Sequence, residues 1–166
     1  MTSPSLDFRP YGPEDLPALQ RIRQAAFAPV FRSFAQVVGE EIAVLAFARA
    51  DEEQARLLDA LCGAAGPDRP VLVAVLGGAV VGFACFSTEA DGRVGEIGLN
   101  AVHPDHAGRG IGTEMVRRVL ARLKARGAAL ATVSTGGDPG HAPARRAYEK
   151  AGFGPGIPSV FLYRKL

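Results

Sequence analysis

The residues from His103 to Thr113, HPDHAGRGIGT, lie between a strand-like run and an amphipathic helical run. Glycines at positions 108, 110 and 112 let the backbone approach a ligand without interference from a Cβ atom. The start of a helix carries unpaired N–H donors and the positive end of the helix dipole, and both favour an anion. The segment therefore predicts a turn that binds a pyrophosphate group.

Two familiar phosphate-binding motifs do not fit this turn. A P-loop ends in Gly-Lys-Ser/Thr, which does not occur in this sequence. A dinucleotide-binding fingerprint reads G-x-G-x-x-G in an early βαβ unit, whereas the glycines here run G-x-G-x-G and the acidic residue expected about 20 positions later is missing. A glycine-rich turn with a purely structural role is the other alternative, but the well-formed strand and helix around it favour a ligand.

Composition and charge narrow the class of protein. A chain of 166 residues with 48% apolar content is expected to form one soluble domain over residues 1–166. A net charge of +2 gives no reason to expect a nucleic-acid partner. The uncharged run from Val71 to Thr88 approaches the length of a membrane span, but Gly77 and Gly78 divide it into two segments typical of a β-hairpin. With no signal-like N-terminus, we expect a cytoplasmic protein without a membrane partner.

Hydrophobic periodicity predicts a mixed α/β sheet layered with helices. The expected helices cover residues 13–28, 34–48, 51–61, 110–126 and 142–151, and the expected strands cover residues 6–8, 71–87 as a hairpin, 93–102, 129–134 and 159–164. Glycines at positions 95 and 98 fit a bend in the strand 93–102, although close packing explains a glycine in a strand equally well.

Two segments together resemble the GNAT superfamily of N-acetyltransferases. VHPDHAGRGIG is similar to the family's acetyl-CoA-binding signature, Q/R-x-x-G-x-G/A, and HAPARRAYEKAGF is similar to its N-x-x-A-x-x-x-Y-E-K-x-G-F segment. The specific resemblance covers residues 71–166. It implies the GNAT fold, an α/β (α+β) fold with a mixed sheet of six to seven strands flanked by helices and a splayed fourth and fifth strand. It also implies direct transfer of an acetyl group from acetyl-CoA to a primary amine through a tetrahedral intermediate, with no metal.

The resemblance also implies roles for individual residues. Tyr148 matches the acid that protonates the departing thiolate. Glu96 matches the general base of one branch of the family, although an exposed or ion-paired glutamate is an equal alternative. The residues implied in binding acetyl-CoA are Asn100, Ala101, Val102, His103, Gly108, Arg109, Gly110, Ile111, Gly112, Thr113, His141, Ala144 and Tyr148.

Two positions depart from the family pattern. Ala107 stands where the family prefers Arg or Gln, so one side-chain contact to the pyrophosphate is missing, and His141 replaces the usual Asn. These departures keep open a second hypothesis, an acyl-CoA sensor of the same fold without catalysis. A hydroxyl acceptor is a third.

The acceptor side of the cleft is the least patterned part of the chain. Its expected lining comes from aromatic residues that are equally suited to the core, Phe27, Phe31, Phe34, Phe47, Phe161 and Tyr163. A metal site at His103, His106 and His141 is not favoured, because no acidic or thiolate partner completes the set. The sequence leaves a monomer and a homodimer equally open.

Overall fold

A computed structural model describes residues 4–166 and contains a five-stranded mixed sheet in the order β1-β2-β3-β4-β5. The strands are β1 (Leu6–Pro10), β2 (Val71–Leu76), β3 (Ala79–Thr88), β4 (Val94–Val102) and β5 (Leu130–Val133). The first four strands pair antiparallel, and β5 pairs parallel to β4. The helices are α1 (Leu16–Val38), α2 (Glu40–Phe47), α3 (Ala50–Gly63), α4 (Ile111–Ala125) and α5 (Ala142–Lys150). The predicted mixed α/β architecture is confirmed.

Helices cover both faces of this sheet. On one face, α1 and α3 bury Leu19, Ile22 and Leu58 against Val73 and Phe83 of the sheet. On the other face, α4 and α5 contribute to the larger core cluster, whose buried members are Leu72, Ala74, Val81, Ala84, Phe86, Ile97, Ile111, Met115, Val116, Val119, Leu123 and Tyr148. No helix within residues 4–166 is long and apolar enough to cross a membrane.

The predicted hairpin over residues 71–87 is confirmed, and its turn explains the paired glycines. Gly77 and Gly78 have φ angles of 57° and 86°, and a two-residue turn of this kind requires positive φ at both positions.

The helices before the hairpin differ from the prediction. The predicted break between residues 28 and 34 is absent. One long helix, α1, runs through this segment and contains Pro29. The chain breaks instead at Gly39, whose φ of 84° ends α1 and allows α2 to begin.

Strand β4 continues past the end of its partner β5. The two strands pair only from Val94 opposite Leu130 to Ile97 opposite Val133. On the other side of β4, Ala84 and Phe86 of β3 oppose Asn100 and Ile97, so two steps along β3 match three along β4. The extra residue is a bulge at Gly98–Leu99. The predicted separation of the fourth and fifth strands is confirmed, and the bulge lies where it begins.

Gly95 serves close packing rather than the predicted bend. A Cβ added there would lie 2.6 and 2.7 Å from the two Cδ atoms of Leu123, a buried residue of α4. A Cβ added at Gly98, at the bulge, would have one neighbour within 4 Å, the carbonyl oxygen of Cys85 at 3.4 Å. The two glycines of β4 therefore have different roles.

We expect Gly95→Ala to lower the free energy of unfolding by about 1–3 kcal/mol, because overpacking a buried contact displaces Leu123. The matched control is Gly98→Ala, in which the new methyl group makes an ordinary contact and the loss stays below about 0.5 kcal/mol. Urea denaturation of both variants measures the difference. Equal stability of the Gly95→Ala variant and the parent would show that helix α4 has room to move.

The predicted last strand, Ser159–Arg164, is wrong, and the count of six to seven strands is also wrong. No strand follows β5 in the described residues, and the chain after Phe153 runs over the surface. The side chain of Tyr163 contacts Phe47, and Lys165 pairs with Glu41 of α2. This segment therefore lies against α2 instead of pairing along the free edge of β5, since an alternating pattern forms a strand only where a partner edge is in reach.

Candidate active site

The glycine-rich turn presents free backbone donors at the start of α4. Gly108 and Gly110 adopt left-handed conformations with φ of 75° and 78°. The first hydrogen bond of α4 runs from Glu114 N–H to the Gly110 carbonyl, over 3.0 Å. The N–H groups of Ile111, Gly112 and Thr113 therefore have no partner within the helix and remain available to an anion.

The space in front of this turn is open. A Cβ added at Gly108 or Gly110 would meet no atom within 4 Å. Arg109 lies exposed between them and supplies one positive charge, whereas the exposed Ala107 supplies none. The turn therefore fits a diphosphate held by main-chain amides.

Some predicted binding residues can contribute only their backbone. The side chain of Ile111 is 3% exposed within the core, and that of Ala101 is buried against the α1 face. The N–H of His103 already donates to the carbonyl of Val81. Val102 is half-buried and is the last residue of β4. It lies beside Gly112, because a Cβ added at Gly112 would be 3.7 Å from Cγ2 of Val102.

Asn100 and Tyr148 meet where β4 leaves β5. The Asn100 side-chain amide donates to the Tyr148 hydroxyl at 2.9 Å and to the Gly98 carbonyl at 2.9 Å. Asn100 was expected among the acetyl-CoA contacts, but nothing in the sequence indicated that it binds Tyr148, 48 positions away. The hydroxyl accepts this hydrogen bond and keeps its own proton free to donate.

The environment of Tyr148 keeps that proton on the hydroxyl. The side chain is 7% exposed and packs edge-on against Phe153, with ring centroids 5.8 Å apart. Burial raises the pKa of Tyr148 above its ordinary value of 10.0, and the Asn100 hydrogen bond opposes this only in part. Tyr148 is therefore a neutral acid over the physiological pH range.

His141 lies at the start of α5, paired with a carboxylate. Its Nδ1 lies 2.5 Å from Oδ1 of Asp138, and its ring packs on Phe34 of α1 at 5.7 Å between centroids. The second oxygen of Asp138 accepts from the N–H of Gly140, which also donates to Ser33 of α1. The predicted contact of His141 with the cofactor can thus involve only Nε2. Ala144 follows one turn later, packed on the α4-side core.

Glu96 lies on the α1 face of β4. It directly precedes Ile97, whose side chain is buried on the α4 face, so the Glu96 side chain points the other way. It is exposed, opposite Ser87 and Thr132, and no ion pair or hydrogen bond joins it to another side chain of residues 4–166. Its role as a general base stays a prediction.

A groove lies between α1 and α2. Its volume is about 520 Å³, and Phe31 and Phe47 line it. Phe34 connects the groove to the site, because its ring contacts Phe47 at 5.3 Å and His141 at 5.7 Å. Among the predicted acceptor residues, Phe27 contacts Phe31 and Tyr163 contacts Phe47, whereas Phe161 is exposed. Within residues 4–166, no three His, Cys, Asp or Glu side chains converge as metal ligands.

Comparison with known proteins shows the class to which this architecture belongs. The model of the acetyltransferase (GNAT) family matches residues 31–153. A GNAT family acetyltransferase from Brucella melitensis, solved with acetyl-CoA, superposes with a TM-score of 0.63 and 25% identity over 93% of this chain and 92% of its own. The ribosomal-protein-S18-alanine N-acetyltransferase of Escherichia coli superposes with a TM-score of 0.64 and 20% identity over 92% and 80%.

An aminoglycoside N-acetyltransferase solved with CoA shares the fold at 16% identity, with a TM-score of 0.65 over 99% of this chain and 97% of its own. No curated protein sequence matches the chain. The family match supports an acyltransferase, and proteins of similar fold are solved with CoA or acetyl-CoA. The chain belongs to the acetyltransferase (GNAT) family.

Proposed function

We propose that this protein transfers the acetyl group of acetyl-CoA to a primary amine. The observation that carries the proposal is the position of Tyr148, a buried neutral acid held by Asn100 at the point where β4 separates from β5. A module that only sensed acyl-CoA would have no use for an acid at this point.

The chain offers a continuous path for the donor. The amides of Ile111, Gly112 and Thr113, with Arg109 nearby, hold the diphosphate. The unpaired edge of β4 from Asn100 to Val102 binds the pantetheine arm through its main chain, with Ala144 beside it. The thioester group then lies beside the Tyr148 hydroxyl.

Two negative charges develop during acyl transfer, on the oxyanion and on the departing thiolate, and the site can stabilise both. Main-chain N–H groups of β4 beyond Ile97 have no β5 partner, so they can stabilise the oxyanion of the tetrahedral intermediate. Tyr148 donates its proton to the thiolate as the C–S bond breaks.

Isothermal titration with acetyl-CoA, followed by an assay of free CoA with a panel of amines, tests the proposal. The panel contains peptide α-amines, aminoglycosides and small apolar amines, because structurally similar proteins include an aminoglycoside and a ribosomal-protein N-acetyltransferase. We expect binding and amine-dependent CoA release. Binding without release across the panel would favour the sensor, and absence of binding would overturn both.

A further inference from the structure

From the geometry of His141 and Asp138 we infer that this pair is the general base that removes the proton from the acceptor ammonium, with His141 Nε2 as the accepting atom. The inference rests on the proposed function and extends it, because the family resemblance assigned the base to Glu96 and gave His141 only a cofactor contact.

The hydrogen-bonding pattern sets the tautomer of His141. Burial disfavours the charged form of Asp138, yet hydrogen bonds from His141 and Ser33 outweigh it and hold the pKa of this carboxyl below its ordinary value. An ionised carboxylate can only accept, so Nδ1 of His141 carries a proton, and in the neutral imidazole the lone pair is on Nε2.

The pair is held by contacts from α1 and from the turn before α5. Phe34 packs on the imidazole, and the Gly140 N–H bonds Asp138. Arg145 of α5 is a charged neighbour, which donates to the carbonyls of Gly136 and Asp138. From α1 the facing groups are Ser33 and Phe34, which are uncharged. The His141 side chain keeps 18% exposure, so the ring remains reachable.

The spacing of acid and base along α5 matches the reaction. His141 is the N-cap residue of α5 and Tyr148 lies seven positions later, so their backbone positions are about 10 Å apart along the helix axis. The reaction also needs a definite distance between base and acid. A hydrogen bond joins the base to the amine, the amine nitrogen approaches the carbonyl carbon, the C–S bond follows, and a hydrogen bond joins the sulfur to the acid. These four distances total roughly 10 Å. Phe34 contacts both His141 and Phe47, and Phe47 lines the groove between α1 and α2.

The proton balance closes with these two groups. Nε2 takes one proton from R–NH₃⁺, and the free amine forms a C–N bond to the thioester carbon. The intermediate loses its second N–H proton to solvent as the C–S bond breaks, and the thiolate takes the Tyr148 proton. Solvent then reprotonates Tyr148 and deprotonates His141, so one proton is released per turnover.

His141→Asn is the decisive variant, because asparagine is the residue the family motif carries at this position. We expect kcat/KM for the amine to fall about 100-fold or more, the usual contribution of a positioned base, with loss of the acidic limb of its pH profile. The affinity for acetyl-CoA should stay close to that of the parent. Asp138→Asn should lower kcat/KM in the same direction, while Glu96→Gln should keep the acidic limb.

Three results would count against the inference in distinguishable ways. If the parent acetylates amines and His141→Asn retains the acidic limb, the base is not His141 and the transferase function stands. If Glu96→Gln alone removes that limb, Glu96 is the base. If the parent binds acetyl-CoA but acetylates no amine, the transferase function and the base fail together. Thermal melting of each variant shows whether it is folded.

Discussion

Replacing Tyr148 with phenylalanine is expected to lower kcat about 100-fold or more while leaving acetyl-CoA affinity little changed. In the proposed mechanism the hydroxyl protonates the departing thiolate, and it accepts one hydrogen bond, from Asn100. The ring itself continues to pack against Phe153 in the variant, so the fold is preserved. Steady-state kinetics with a responsive amine, paired with calorimetric titration of acetyl-CoA, separates the two quantities.

Tyr11→Phe is the matched control, since it removes the same atom from a tyrosine packed in the α1–α3 core. It should leave turnover unchanged. The direction of the Tyr148 pKa adds a second readout. Because burial raises this pKa above 10.0, the acid stays protonated and kcat should show no basic limb from Tyr148 below about pH 10. Unchanged turnover in Tyr148→Phe would remove the acid role.

Gly110→Ala is expected to weaken acetyl-CoA binding about tenfold or more. At a φ of 78° a Cβ atom is strained, and relief of that strain rotates the N–H donors at the start of α4. Hydrogen bonds to a charged group are each worth about 1.5–3 kcal/mol, so misdirecting one is enough for this loss. Calorimetric titration gives the dissociation constant.

The control lies at the other end of the same helix. Gly127 follows α4 with a φ of 92° and has no neighbour within 4 Å of an added Cβ, so Gly127→Ala imposes similar backbone strain away from the turn. Both variants should lose similar stability, about 1 kcal/mol, and Gly127→Ala alone should keep its affinity. Equal affinities in the two variants would show that the turn does not bind the diphosphate.

Local sequence patterns were sufficient for most of the elements around the site. Paired glycines with positive φ gave the hairpin, and the predicted helix over residues 110–126 matches α4. These signals are short-range, because they depend on turn geometry and helical spacing within one segment. The glycine turn at the start of α4 was predictable for the same reason.

Contacts between distant segments were not predictable. The Asn100–Tyr148 hydrogen bond spans 48 positions, and the bond from Gly140 to Ser33 spans 107. The last predicted strand failed for the same physical reason, since its apolar alternation says nothing about which surface lies within reach. The predicted break between residues 28 and 34 failed because α1 continues through Pro29 and tolerates the missing N–H.

The turn at Gly140 packs tightly against α1. A Cβ added there would lie 2.9 Å from Cβ of Ser33 and 3.0 Å from Cα of Val30, so this turn and α1 touch backbone to backbone. Any displacement of α1 as an acceptor settles in must therefore push directly on the first turn of α5. Under the proposed function, α1 on the acceptor side and α5, which carries Tyr148, are therefore mechanically coupled.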